Sequence, residues 1–243
     1  MSGSATWSAN PGPRSRRKRR GDSPSLKVRS DGRLPAVLGN LWDSLDYSTP
    51  LQARAILDAA TEVFAEQGFH AATTRQISER AELSSAGIYA HFRSKQSILL
   101  AICTAAHTVT DRLMGDLLRD PVSVDELASA IGRFARWHAE NCSVGRVAQF
   151  ELGALDEDDA KSIRASRRTT QDRIVNYVRD LNAGGQIVAD DPRSMARALM
   201  SLGIDVCRWY QRGGALAPQD IERIHRELAM RVLLGAPSLD LAN

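Results

Sequence analysis

Three observations predict an all-α protein with a small helical head and a larger helical domain behind it. Apolar residues recur at three- and four-residue spacing through most of the chain. No stretch sustains the two-residue alternation of a half-buried strand. Gly, Pro, Ser and Thr interrupt the apolar runs where helices would stop and start. About nine helices follow from this punctuation. They group as a three-helix, helix-turn-helix head over 50–97 and a helical domain over 98–243, behind a basic extension over residues 1–49.

The extension is rich in Ser, Gly, Pro and Arg and poor in hydrophobic residues, a composition that predicts disorder in the free chain. Arg16, Arg17, Lys18, Arg19 and Arg20 form a dense cationic run. It reads either as a solvated tail or as an arm that neutralises phosphates or enters a minor groove. Residues 34–47 suit a short amphipathic turn that packs on the first helix or on a partner, with Pro50 marking the start of the head.

Ile56, Leu57, Ala60, Val63 and Phe64 lie on one stripe of a first helix, which Gly68 ends. Thr73 and Thr74 offer hydroxyl caps to a second helix running from Arg75 to about Ala81. Glu82-Leu83 makes a turn, and Ser84 or Ser85 caps a third helix that reaches about His91. A non-glycine at positive φ in that turn costs on the order of 1 kcal/mol. Ser94 caps a fourth helix. The third begins with Ser84, Ser85, Ala86 and Gly87, all small, which lets a helix N-terminus approach a polyanion closely. Small side chains also read base edges by contact, thymine methyls included.

The run A81-E-L-S-S-A-G-I-Y-A-H-F-R-S-K-Q-S-I-L-L resembles the recognition helix and fourth-helix start of the TetR family of bacterial transcriptional regulators. Gly68 to Ile77 matches that family's G-[FY]-x-A-[AT]-T-x-R-x-I segment. The departure is Glu82, where the family often has Gly. The resemblance implies double-stranded DNA as partner, a homodimer paired through its last two helices, and a ligand cavity in the helical domain. It implies DNA contacts from Thr73, Thr74, Arg75, Ser84, Ser85, Ala86, Gly87, Tyr89, His91 and Lys95, with Tyr89 and His91 on phosphate. Phe92 reads as a core aromatic.

Behind the head, the fourth helix continues to about Arg119. A fifth starts at Val122 or Ser123, and a sixth covers Gly145 to Leu155 after a break at Asn141–Ser143. A seventh opens on Glu157-Asp158-Asp159, whose carboxylates suit a helix start, and stops at Gly184-Gly185. Pro192 opens an eighth that stops at Gly213-Gly214, and Pro218 opens a ninth. The last two read as a helical hairpin.

Catalytic and metal constellations are missing from the sequence: there is no G-x-S-x-G, no H-E-x-x-H, no Gly-rich phosphate loop and no Cys/His cluster. The reading is therefore not an enzyme and has no cofactor. Cys103, Cys142 and Cys207 are odd in number and far apart, which fits a reducing, cytoplasmic setting. No apolar run is long enough to span a membrane. The isolated His107, His138 and His225 read as surface or satisfied core residues.

W209-Y-Q-R-G-G-A-L-A-P-Q-D-I-E resembles a segment of actinobacterial-type TetR members that respond to acyl-CoA thioesters. An acyl-CoA effector is what this second resemblance implies. The alternative is an aromatic helix end with a Gly-Gly cap. Residue type nominates Arg146, Arg168, Arg208 and Arg212 for phosphates, and Trp137, Phe150, Tyr177 and Trp209 for the acyl or adenine part. The function expected is a repressor bound to a palindromic operator and released by a small molecule. A ligand-blind DNA-binding protein held mainly by its basic arm is the second reading.

Overall fold

The structure is a computed structural model describing residues 41–45, 50–118 and 122–235; the cationic run at 16–20 lies outside the described residues. Among the described residues there are nine α-helices and no strand. The head holds α1 (Leu51–Ala71), α2 (Thr74–Arg80) and α3 (Ser85–His91). Behind it come α4 (Lys95–Leu117), α5 (Val124–Glu140), α6 (Cys142–Phe150), α7 (Glu157–Ala183), α8 (Pro192–Trp209) and α9 (Pro218–Leu234).

Side-chain caps start most of these helices, as the sequence predicts. The Thr73 hydroxyl accepts from the Gln76 N–H, and the Gln76 side chain accepts from the Thr73 N–H, closing a capping box. The Ser94 hydroxyl accepts from the Ser97 N–H at 3.1 Å, and Ser84, Ser123 and Asp156 cap α3, α5 and α7 in the same way. Each such cap contributes about 1 kcal/mol. Glu82 sits at φ 56, the left-handed position that favours glycine.

Several boundaries move, each for a local reason. Gly68, at φ 80, kinks the first helix and leaves one more turn beyond it, closed by the Ala72 N–H on the Gly68 carbonyl. The break before α6 is confined to Asn141, so α6 begins at Cys142 and ends at Phe150. Tyr210 turns extended at ψ 135, and α8 therefore ends before Gly213-Gly214. Trp42 settles the turn at Leu41–Ser44: its buried indole Nε1 donates to Asp58 on α1 at 2.8 Å, and the turn also packs on α4.

The terminal helices do not form a free-standing hairpin. The inner face of α9 (Ile221, His225, Ala229, Leu233) lies along α5, and α8 packs on α5 as well. Two glycines permit these crossings. A Cβ on Gly132 would stand 2.6 Å from the Glu222 carbonyl oxygen, and one on Gly203 would stand 2.6 Å from the Phe134 ring.

One hydrophobic cluster runs through the head and out of it. It joins Ile56, Phe64, Ile77 and Ile88 to Ile98, Leu99 and Ile102 of α4, and continues to Trp137 of α5 and Val147 and Ala148 of α6. The expected domain boundary at 97/98 falls inside α4, a single rigid helix of 23 residues.

Candidate nucleic-acid interface and ligand cavity

In the head, α3 buries Ile88, half-buries Gly87 and His91 and exposes its other residues. Ser84, Ser85 and Ala86 are exposed and Gly87 is half-buried. Tyr89 is 56% exposed, and no partner takes its hydroxyl among the described residues. His91 is tied to α1 through its Nε2, 3.1 Å from Gln52 Oε1. Thr73 and Thr74 sit at the start of α2 beside this face. Arg75 is highly exposed and pairs one turn along with Glu79 at 2.8 Å, a surface pair that a phosphate can displace.

Lys95 departs from expectation. Its ammonium turns inward, donating to the carbonyls of Phe69 and Ala72 at 2.6 Å each and lying 4.3 Å from the Phe69 ring centroid. The last turn of α1 leaves those carbonyls without helical partners, and Lys95 supplies the missing donor. Partial burial lowers its pKa. Its charge therefore closes the kink at Gly68 rather than standing ready for a phosphate. Arg93, which the sequence reading passed over, is exposed and carries no ion pair among the described residues. Its place just after α3 is the signal that could have found it.

In the helical domain a cavity of about 190 Å³ opens among α4, α5, α6, α7 and α8. Ala106, Phe134, Trp137, Ala148, Met200 and Ile204 give it an apolar lining. Its polar lining is His107, His138, Gln149, Arg167, Thr170, Gln171, Arg197 and Ser201. Burial pushes the two histidines down to about 3 (His107) and about 4 (His138), so both are neutral in the fold. His138 Nδ1 lies 2.9 Å from the Phe134 carbonyl.

Residues 56–102 match the profile of bacterial regulatory proteins of the tetR family, and residues 120–233 match the tetracyclin repressor-like C-terminal domain. The chain is 45% identical over 157 residues to the transcriptional activator FasR of Mycolicibacterium smegmatis, covering 64% of this chain and 70% of FasR. The chain belongs to the TetR family.

The TetR fold is also seen in solved structures. A tetR-family regulatory protein from Rhodococcus RHA1 superposes with a TM-score of 0.71 at 31% identity, over 77% of this chain and all of that one. AibR, solved with isovaleryl coenzyme A and operator DNA, superposes at 0.66 and 17% identity, over 73% of this chain and 97% of that one, and shares the fold. This protein is thus a TetR-type transcriptional regulator with a helix-turn-helix DNA-binding head and a ligand-binding domain.

Of the residues nominated for the ligand from sequence, the cavity takes only Trp137. Phe150 is 62% exposed at the end of α6, and Arg168 is exposed on the outer side of α7. Tyr177 is buried, but its hydroxyl donates to Glu126 at 2.9 Å and accepts from the Ser123 N–H, locking the start of α5. Arg146 donates to the Cys207 carbonyl at 2.8 Å, and Arg212 to that of Glu140. Arg208 pairs with Asp205 on the surface, and Trp209 stands 45% exposed where α8 ends. His107 and His138, read as isolated, line the cavity together. Helical periodicity marks which residues point inward, but not which inward face meets a void.

The described residues contain no cluster of His, Cys, Asp or Glu able to hold a metal, and no helix long and apolar enough to cross a membrane.

Proposed function

We propose that this protein is a homodimeric repressor that binds a palindromic operator through α3 and is released by a small molecule held in the α4–α8 cavity. One observation carries the reading. Ala106, His107 and Thr110 on α4 line the cavity, and only three residues separate the end of the recognition helix from the start of the same α4. A ligand that displaces α4 displaces α3, because one continuous core joins them.

Ser84, Ser85, Ala86 and Gly87 approach base edges, while Thr73, Thr74, Arg75, Tyr89, His91 and Arg93 meet phosphates. Two such helices about 34–36 Å apart fit successive major grooves. The partner face is the outer side of the terminal helices, where Trp209, Leu228, Val232 and Leu234 are left exposed. The cavity is smaller than the roughly 300–1,000 Å³ of drug-sized sites, so it admits an acyl-sized group and leaves a coenzyme A nucleotide outside. Arg197, exposed on the lining and unpaired among the described residues, is placed to meet phosphate there.

A 100-fold loss of operator affinity on ligand binding corresponds to about 2.7 kcal/mol of coupling, within the usual range. The test is a footprint on the DNA flanking its own gene, with and without acyl compounds, alongside sedimentation of the free protein. A two-fold-symmetric protected site, erased by ligand, is expected. Protection without symmetry, or binding that tracks salt alone and ignores sequence, gives the ligand-blind reading instead.

A further inference from the structure

The cavity contains a cation that no carboxylate of the described residues neutralises. Arg167 lies on α7 with its guanidinium turned into the lining. Its Nε donates to His107 Nε2 at 3.2 Å and its Nη2 to the Ala148 carbonyl. A guanidinium has five N–H donors, and these two partners leave the rest unused. No carboxylate of the described residues pairs with it, in contrast with Arg136, Arg173 and Arg226, each held by an Asp or Glu.

Its two hydrogen-bond partners supply no charge, and the charged neighbour acting on it, Arg164, is itself a cation. His107 is neutral, held low chiefly by burial and then by Arg167 itself, and Ala148 offers a carbonyl. Desolvation lowers the pKa of Arg167 as well. A half-buried guanidinium given only neutral acceptors loses part of its hydration without an opposite charge to offset it. Phe134, Trp137, Met200 and Ile204 give the cavity an apolar face, and its other polar side chains, Gln149, Thr170, Gln171, Ser201 and the exposed Arg197, bring no negative charge.

We infer that the effector presents a carboxylate to Arg167 and buries a short apolar body against the aromatic wall. At roughly 30 Å³ per water-sized group, the cavity has room for on the order of six carbon- or oxygen-sized groups. That chemistry belongs either to a small free monocarboxylic acid or to the free carboxyl end of a dicarboxylic acyl thioester, with its nucleotide outside. A plain alkyl tail would leave the guanidinium facing methylene groups. The inference rests on the reading of this cavity as the effector site and specifies the ligand class.

The test is titration calorimetry on the full chain. Butyrate, hexanoate and benzoate are compared with their primary amides, and succinyl-CoA with butyryl-CoA. At least one free acid binding tenfold or more tightly than its amide assigns a free acid. Succinyl-CoA binding tenfold or more above butyryl-CoA, with no free acid binding, assigns the thioester. Amides equal to the acids with butyryl-CoA equal to or better than succinyl-CoA, or no binding by any carboxylate, overturns the proposal.

Arg167→Gln is expected to weaken the bound carboxylate at least 30-fold, with Arg167→Lys recovering part of the loss. Because the charge is uncompensated, Arg167→Gln should melt at or above the wild-type temperature. An unchanged affinity in Arg167→Gln overturns the assignment, and a lowered melting temperature with proportionate loss for acid and amide alike marks Arg167 as structural only. A gel shift on ligand-free protein separates the two readings. Absent operator binding sinks the regulator reading while carboxylate binding stands, and a carboxylate that binds without altering DNA affinity sinks the effector reading alone.

Discussion

The head and the helical domain solve opposite problems with the same element. The head presents function outward on α3, seven residues long, fixed by one buried isoleucine, a serine cap and the His91 tie to Gln52, and largely exposed. The helical domain presents function inward, in a space bounded by five helices and owned by none of them. A substitution on the outer face of α3 should therefore change binding without changing stability. One in the cavity wall should change stability first. This difference separates a surface that is read from a core that is moved.

The largest expected effect lies on the cavity side. Trp137→Ala removes a buried indole shared by the cavity wall and the core that reaches the head. It should cost about 3–5 kcal/mol in urea unfolding, with operator binding lost through the same transition. If Trp137→Ala kept its stability, the two regions would not share a core.

Next comes the outward face. Ala86→Glu sets a carboxylate at the exposed start of α3 and should lower operator affinity on the order of 100-fold, since like charges across an interface cost several kcal/mol. Its melting curve should overlay the wild type. A gel shift showing undiminished affinity would remove α3 from the interface.

A third prediction uses pH, to which the histidines couple only the helical domain. His107 and His138 titrate near 3 and 4 in the fold against 6.5 ordinarily. The unfolded chain thus binds the extra protons first, and stability is full above about pH 6.5 and falls as pH drops towards 4. The slope is up to about 1.4 kcal/mol per pH unit for each histidine. Urea midpoints from pH 7 to 4.5 should fall more steeply for wild type than for His107→Gln. Parallel lines would mean that His107 binds its proton as readily in the fold as in the unfolded chain.

The smallest effect returns to the head. Glu82→Gly relieves a left-handed residue at φ 56, offset by the greater freedom of glycine in the unfolded chain. A net gain of about 1 kcal/mol or less is expected, with DNA affinity unchanged. A loss of stability would show that the Glu82 side chain holds the turn.

The legibility of the two regions follows from the range of the interactions that make them. Thr73 with Gln76, Ser84 with Gly87 and Ser94 with Ser97 are partners three residues apart, and a cap of that span is written in the local sequence. Even the strain at Glu82 was visible as a missing glycine. Lys95 was not, because its carbonyl partners lie 23 to 26 residues back and come within reach only once α1 and α4 pack.

The sequence alone determined the all-α class, the three-helix head, the exposed small-residue start of α3 and most of the helix starts along the chain, all of which depend on periodicity and on neighbours within one turn. The tertiary structure decided which inward faces enclose a void, bringing His107 and Arg167 together from 60 residues apart while turning Phe150, Arg168 and Trp209 outward. A helix's phase states that a side chain is buried. Only the crossings through Gly132 and Gly203 fix what it is buried against.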